Sequence, residues 1–107
     1  MKFFRFIFAY NEIFVSLFLT IKGIFYAVLL YVGPAENAAK YKYKVKFVNE
    51  DDTEGVTVMH LTRSAGEDLD ELYNSGKCGK LHYDVVRRLT DEQSNLKFKL
   101  GIIRIGN

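Results

Sequence analysis

Between Ile13 and Gly33 the chain reads IFVSLFLTIKGIFYAVLLYVG, with Lys22 as its one charged side chain. A run of about 20 apolar residues is long enough to cross a bilayer as a helix. The same run also reads as two strands if it can turn in the middle. Lys22-Gly23 sits at its midpoint, where glycine makes a tight turn easy and gives a spanning helix nothing. The residues on either side are Phe, Ile, Val, Tyr and Leu, a β-branched and aromatic mixture that suits a pleated surface. The pattern predicts two antiparallel strands meeting at Lys22-Gly23; a membrane span over Ile13–Val32 is the alternative. The leading MKFFRFIFAYNE imitates a signal peptide through Lys2 and Arg5, but its apolar core is short and no small-residue cleavage site precedes Glu12.

Strand patterns continue downstream. Gly33-Pro34 marks a turn, followed by a short helical or looped piece around Glu36–Ala39. From Tyr41 to Val48 the alternation is strict: Tyr41, Tyr43, Val45 and Phe47 form one face, and Lys40, Lys42, Lys44 and Lys46 the other. The lysines read as a solvated sheet face rather than an anion site, because no aromatic residues interleave with them. NEDDTEG is a hairpin loop whose acid spacing fails the calcium-binding pattern, and Val56–Thr62 is the returning strand. Ser64 with Glu67 has the form of a capping box ahead of a helix carrying Leu69, Leu72 and Tyr73 and stopping at Gly76. Lys80–Tyr83 is a short strand, and Asp84 is the expected N-cap of a helical turn holding Val85, Val86 and Leu89, with Arg87 and Arg88 on its wet side. In the last strand, Leu96, Phe98, Leu100 and Ile102 point inward and Lys97 and Lys99 outward. Parity blurs at Ile103 and Ile105, as for an end covered on both faces by a partner. Six or so strands with short helical insertions indicate an all-β antiparallel sandwich.

The chain has 107 residues, enough for one domain or part of one, and a net charge of +2 that argues against a polybasic nucleic-acid surface. Its one cysteine allows no internal disulfide, and one Cys with two His cannot supply an ordinary structural zinc site. His60 and His82 read as ordinary sheet residues. The acids Glu67, Asp68, Asp70 and Glu71 read as a solvated helix face. No catalytic triad, phosphate loop or metal cluster is legible, so the residues by themselves lead to a β-sandwich binding module.

The segments GIFYAVLLYVG, AENAAKYKYKVKF, HLTRS, NSGKCGKLHYDVVRRL and NLKFKLGI, in that order, resemble the C-terminal TRAF-like (MATH-like) substrate-binding domain of the seven-in-absentia (Sina/SIAH) ubiquitin ligases. Arg63-Ser64 matches the family's Arg-Ser turn, although Thr62 stands where proline is usual. Cys78 matches a lone strand cysteine, Tyr83-Asp84 an aromatic-Asp pair before the small helix, and Asn95-Leu96 the start of the last strand. The resemblance divides the chain into residues 1–11, a divergent or remnant N-terminal strand, and residues 12–107, the Sina-type domain, with the family's first strand or two absent or replaced. The family's RING and zinc fingers need many cysteines, so the resemblance implies a chain without them: no cofactor, no zinc of its own, and no ligase activity alone. It further implies substrate recognition and dimerisation in ubiquitin-dependent degradation, in the cytoplasm and also the nucleus. The implied partners are degron-bearing proteins and a second family member, as homodimer or heterodimer, with no nucleic acid and no membrane. A RING-less, dominant-negative partner of full-length members is the other role the resemblance allows. An extended Val-x-Pro degron adds to a sheet edge in the family, which places the candidate peptide-binding residues at Phe4, Phe6 and Phe8. Plain core, or cover for an exposed edge, is the other reading of these three.

Overall fold

The computed structural model describes Lys2–Gly106, an all-β antiparallel sandwich. Its strands are β1 (Lys2–Ala9), β2 (Glu12–Ile21), β3 (Ile24–Val32), β4 (Tyr41–Val48), β5 (Gly55–Leu61), β6 (Arg63–Ser64), β7 (Gly79–His82) and β8 (Lys97–Arg104). Two helices, α1 (Leu69–Ser75) and α2 (Tyr83–Leu89), and a 3-10 turn over Ala35–Lys40 complete it. There are thus more strands than the sequence pattern predicts: residues 2–9 form a full strand, and Arg63–Ser64 a two-residue one.

The opening run is a hairpin. Ile13 pairs with Val32 and Ile21 with Ile24 across a turn in which Lys22 (φ 49°) and Gly23 (φ 81°) are both left-handed. Two positive φ values make the type I′ geometry that matches strand twist. Tyr10 and Asn11, at φ 55° and 59°, close the β1–β2 hairpin in the same way. The membrane alternative is corrected here, since Ile13–Val32 is two strands. Among the described residues no helix is long and apolar enough to cross a membrane.

Sheet A runs β1-β2-β3, and the far side of β3 is shared by β6 and β7, the former parallel and the latter antiparallel. Sheet B runs β5-β4-β8, antiparallel throughout. Aromatic residues hold the layers together. Phe18 of β2 lies 5.3 Å from Phe47 of β4 and 5.0 Å from Phe98 of β8, and Phe25 of β3 lies 5.3 Å from Phe47. Edge-to-face contacts at such distances add to the burial of the rings. At the other side of the sandwich, β7 and β5 approach so closely that a Cβ at Gly79 would fall 2.6 Å from Val58 Cγ1.

Strands β2 and β3 are apolar on both faces because both faces are covered. Phe14, Phe18, Phe25, Ala27, Leu29 and Tyr31 enter the core between the sheets. Val15, Leu17, Tyr26, Val28 and Leu30 pack outward beneath Leu72 and Tyr73 of α1 and against Cys78. Without cover on the second face, that alternation would have left a broad greasy surface in water.

Both helix starts differ from expectation. Glu67 does reach back to the Ser64 amide at 2.9 Å, but this closes a turn, and α1 begins only at Leu69 with Asp68 as its cap, accepting from the Asp70 amide at 2.9 Å. In α2 the cap is His82, whose Nδ1 accepts from the Asp84 amide at 3.2 Å, while Asp84 turns to Arg87 at 3.1 Å. The residue before the helix has the extended backbone a cap needs, and Asp84 is already inside the first turn. The lysines of β4 face outward as expected, joined by Lys97 and Lys99 of β8. Lys46 stands directly opposite Lys99, a like-charge pair that disfavours the sheet slightly.

Candidate functional site

Among the described residues strand β1 is the free edge of sheet A, and its two faces differ. Phe4, Phe6 and Phe8 point away from the sandwich core and are 57%, 54% and 76% exposed. The core reading of these residues is therefore corrected: alternation brings them to one face, and that face is wet. The Phe4 and Phe6 rings meet edge to face at 5.4 Å. Their cross-strand neighbours are Leu17, Val15 and Ile13 on β2, and beyond Ile13 lies Val32 on β3. Ile13 and Val32 are exposed as well, whereas Leu17 and Val15 pass under α1. The helix thus covers one half of an apolar sheet face, and the phenylalanines continue it bare to the edge.

The inner face of β1 carries Phe3, Arg5, Ile7 and Ala9. Phe3 stacks on Phe18 at 5.3 Å and meets Phe98 at 5.4 Å. Between β1 and β8 the two sheets part, leaving a cleft of about 510 Å³ lined by Phe3, Arg5, Ile7, Phe98, Leu100 and Ile102. Phe6, Phe8 and buried Ser16, which stands opposite Arg5 in the β1–β2 register, also line it. Sequence reasoning missed this cleft. Its signal was Arg5, a lone charge on the otherwise apolar inward face of an edge strand.

Elsewhere Cys78, the two histidines and the acidic loop are engaged in local structure. Cys78 is buried, donates weakly to the Leu72 carbonyl at 3.6 Å, and has its thiol pushed up by burial, away from nucleophilic character. His60 lies on β5 with its imidazole pushed down by burial, and His82 caps α2. The acidic loop is tied down by Arg88 to Glu54 at 3.0 Å and Lys97 to Asp52 at 3.0 Å, and the hydrogen bond from Lys97 holds the Asp52 carboxyl below its usual value. Among the described residues no three of His, Cys, Asp and Glu converge as a metal ion requires. What the β1 edge presents is apolar surface, a strand backbone and one exposed guanidinium on the cleft side of β1.

No protein-family model and no curated protein matches this chain.

Proposed function

We propose that this chain is a protein-recognition module of the seven-in-absentia type, binding an extended segment of its partner and dimerising within ubiquitin-dependent degradation, without ligase activity of its own. The observation that carries the reading is the exposed ridge of Phe4, Phe6 and Phe8 on an unpaired edge strand. An edge strand offers a row of free amides and carbonyls, and pockets between alternate side chains give selectivity to a peptide that adds to it. Bare phenylalanines contiguous with further apolar surface are the kind of patch that marks interaction sites. The resemblance of the Arg63-Ser64, Cys78, Tyr83-Asp84 and Asn95-Leu96 positions to the Sina pattern supplies the pathway.

The test is fluorescence anisotropy with a labelled peptide containing Val-Ala-Pro. Replacing Phe4, Phe6 and Phe8 together by serine leaves the melting profile near that of the parent and weakens binding by about tenfold or more, the loss expected for truncating anchors at an interface. Equal binding by parent and triple variant would sink the reading. In a ubiquitination assay with a conjugating enzyme the purified chain forms no ubiquitin chains, and chain formation would refute that part.

A further inference from the structure

Sheet B has three strands among the described residues, and β8 is its free edge. Phe98 of β8 touches both Phe18 on β2 and Phe3 on β1, so β8 lies over the boundary between those strands. Neighbouring strands in a sheet are about 4.8 Å apart. The next position beside β8 therefore falls opposite β1, where the 510 Å³ cleft opens.

The edge is chemically ready for a strand. Ile105 donates its amide to the Lys40 carbonyl on the β4 side. Backbone groups alternate along an antiparallel strand, so Phe98, Leu100 and Ile102 turn theirs to the open side. The Ile102 carbonyl accepts from the Tyr10 hydroxyl at 2.9 Å, which closes one end of the cleft. Phe98 and Leu100 keep their side chains on the cleft wall. Arg5 lines the same space and has no ion-pair partner among the described residues.

We propose that the cleft takes an extended acidic segment of another polypeptide, added as a strand beside β8, with apolar side chains directed inward and one carboxylate against Arg5. A second copy of this sandwich does not fit the same place. Because β1 overhangs the open side, pairing β8 with β8 of a second copy would bring two β1 strands into one space. A single strand meets no such obstacle. Arg5 is exposed to water while the cleft is open; a strand laid across the cleft would cover its guanidinium, and a carboxylate on that strand would pair the charge instead of leaving it alone beside apolar walls. The cleft lies on the inner side of β1 and does not depend on the ubiquitin-pathway reading.

The probe is a labelled peptide, acetyl-Val-Thr-Glu-Thr-Val-Thr-Val-amide, whose odd positions share one face. Saturable binding is expected. Changing its Glu to Lys, or making Arg5→Ala in the protein, weakens binding by about tenfold or more, the effect of losing a charged hydrogen bond. N-methylation of the amides at alternate positions, in whichever register faces β8, abolishes binding, whereas Met59→Ser, at an exposed position of β5 away from the cleft, leaves it unchanged. An inward charge on an edge strand can also serve only to discourage self-association. In that case Arg5→Ala increases dimerisation in light scattering and the peptide shows no binding up to millimolar concentration, which overturns the proposal. Equal binding of the Glu and Lys peptides to the parent protein overturns it as well, and needs no variant to fold.

Discussion

Tyr43 on β4 donates its hydroxyl to the carbonyl of Ala27 on β3 at 3.1 Å, a side-chain to backbone hydrogen bond that joins the two sheets through the core. The ring is 1% exposed, and burial pushes the phenol well above its ordinary value of 10.0. The unfolded chain therefore releases this proton first as pH rises. Tyr43 contributes stability that is fully present below pH 10 and is lost as pH climbs towards the folded-state value. Tyr43→Phe is expected to lower stability at neutral pH by about 1 kcal/mol, the net worth of a hydrogen bond. Urea titrations from pH 7 to 11 check this, and the variant loses less stability than the parent above pH 10. Parallel pH profiles for the two proteins would count against the argument.

Phe18 is the hub of the aromatic core, with ring contacts to Phe3, Phe25, Phe47 and Phe98 at 5.3, 6.0, 5.3 and 5.0 Å. It bridges β1, β2, β3, β4 and β8. Phe18→Ala is expected to cost about 3–5 kcal/mol, the range for emptying a buried phenylalanine site. Phe4→Ala, on the exposed face of β1, is expected to stay within about 0.5 kcal/mol of the parent. Thermal and urea unfolding of the pair compare the two faces of one sheet.

Thr62 is 2% exposed, and its hydroxyl has no hydrogen-bond partner among the described residues, although its amide donates to the Tyr41 carbonyl at 3.0 Å. A buried hydroxyl without a partner is costly. Thr62→Val keeps the shape and the amide and is expected to raise stability by about 1 kcal/mol. Thr62→Pro removes the amide donor and is expected to lower it. A higher urea midpoint for the valine variant and a lower one for the proline variant are the measured signs.

At the β2–β3 turn, Gly23 has φ 81°, and a Cβ there meets nothing within 4 Å, so space is not the constraint. The left-handed backbone is. Gly23→Ala is expected to cost about 1 kcal/mol, and Lys22→Asn to gain a few tenths because asparagine tolerates positive φ best after glycine. Chemical unfolding resolves the first, and a stabilising alanine would contradict it.

The elements legible in the sequence are those whose signal is local. The Lys22-Gly23 hairpin follows from a turn residue between two β-branched runs, and the Tyr41–Val48 alternation already assigns each side chain to its face. The hairpin loop around Asp51 and the stop at Gly76 are equally local. Sheet neighbours are not. Nothing near Val15 or Leu17 announces that α1, some fifty residues later, will cover them. Aspartate is the commoner cap, so the sequence pattern points to Asp84 as the start of α2, whereas His82 has the extended backbone the role requires. For the candidate site, period-2 spacing put Phe4, Phe6 and Phe8 on one face but could not say which face was wet. The Arg5 cleft exists only because β8 comes to lie opposite β1, a contact across nearly the whole chain.

The doubly covered β2–β3 hairpin also bears on how the chain is made. Its phenylalanines leave the ribosome early, yet Phe98, which closes over Phe18, follows about 80 residues later, several seconds of synthesis at roughly 5–20 residues per second. During that interval the covers of the greasiest segment arrive one after another, β4 first, then α1, and β8 last. Until β8 arrives, the inner face of Ile13–Val32 is incompletely covered, which is the stage of synthesis at which this sandwich is most open to aggregation.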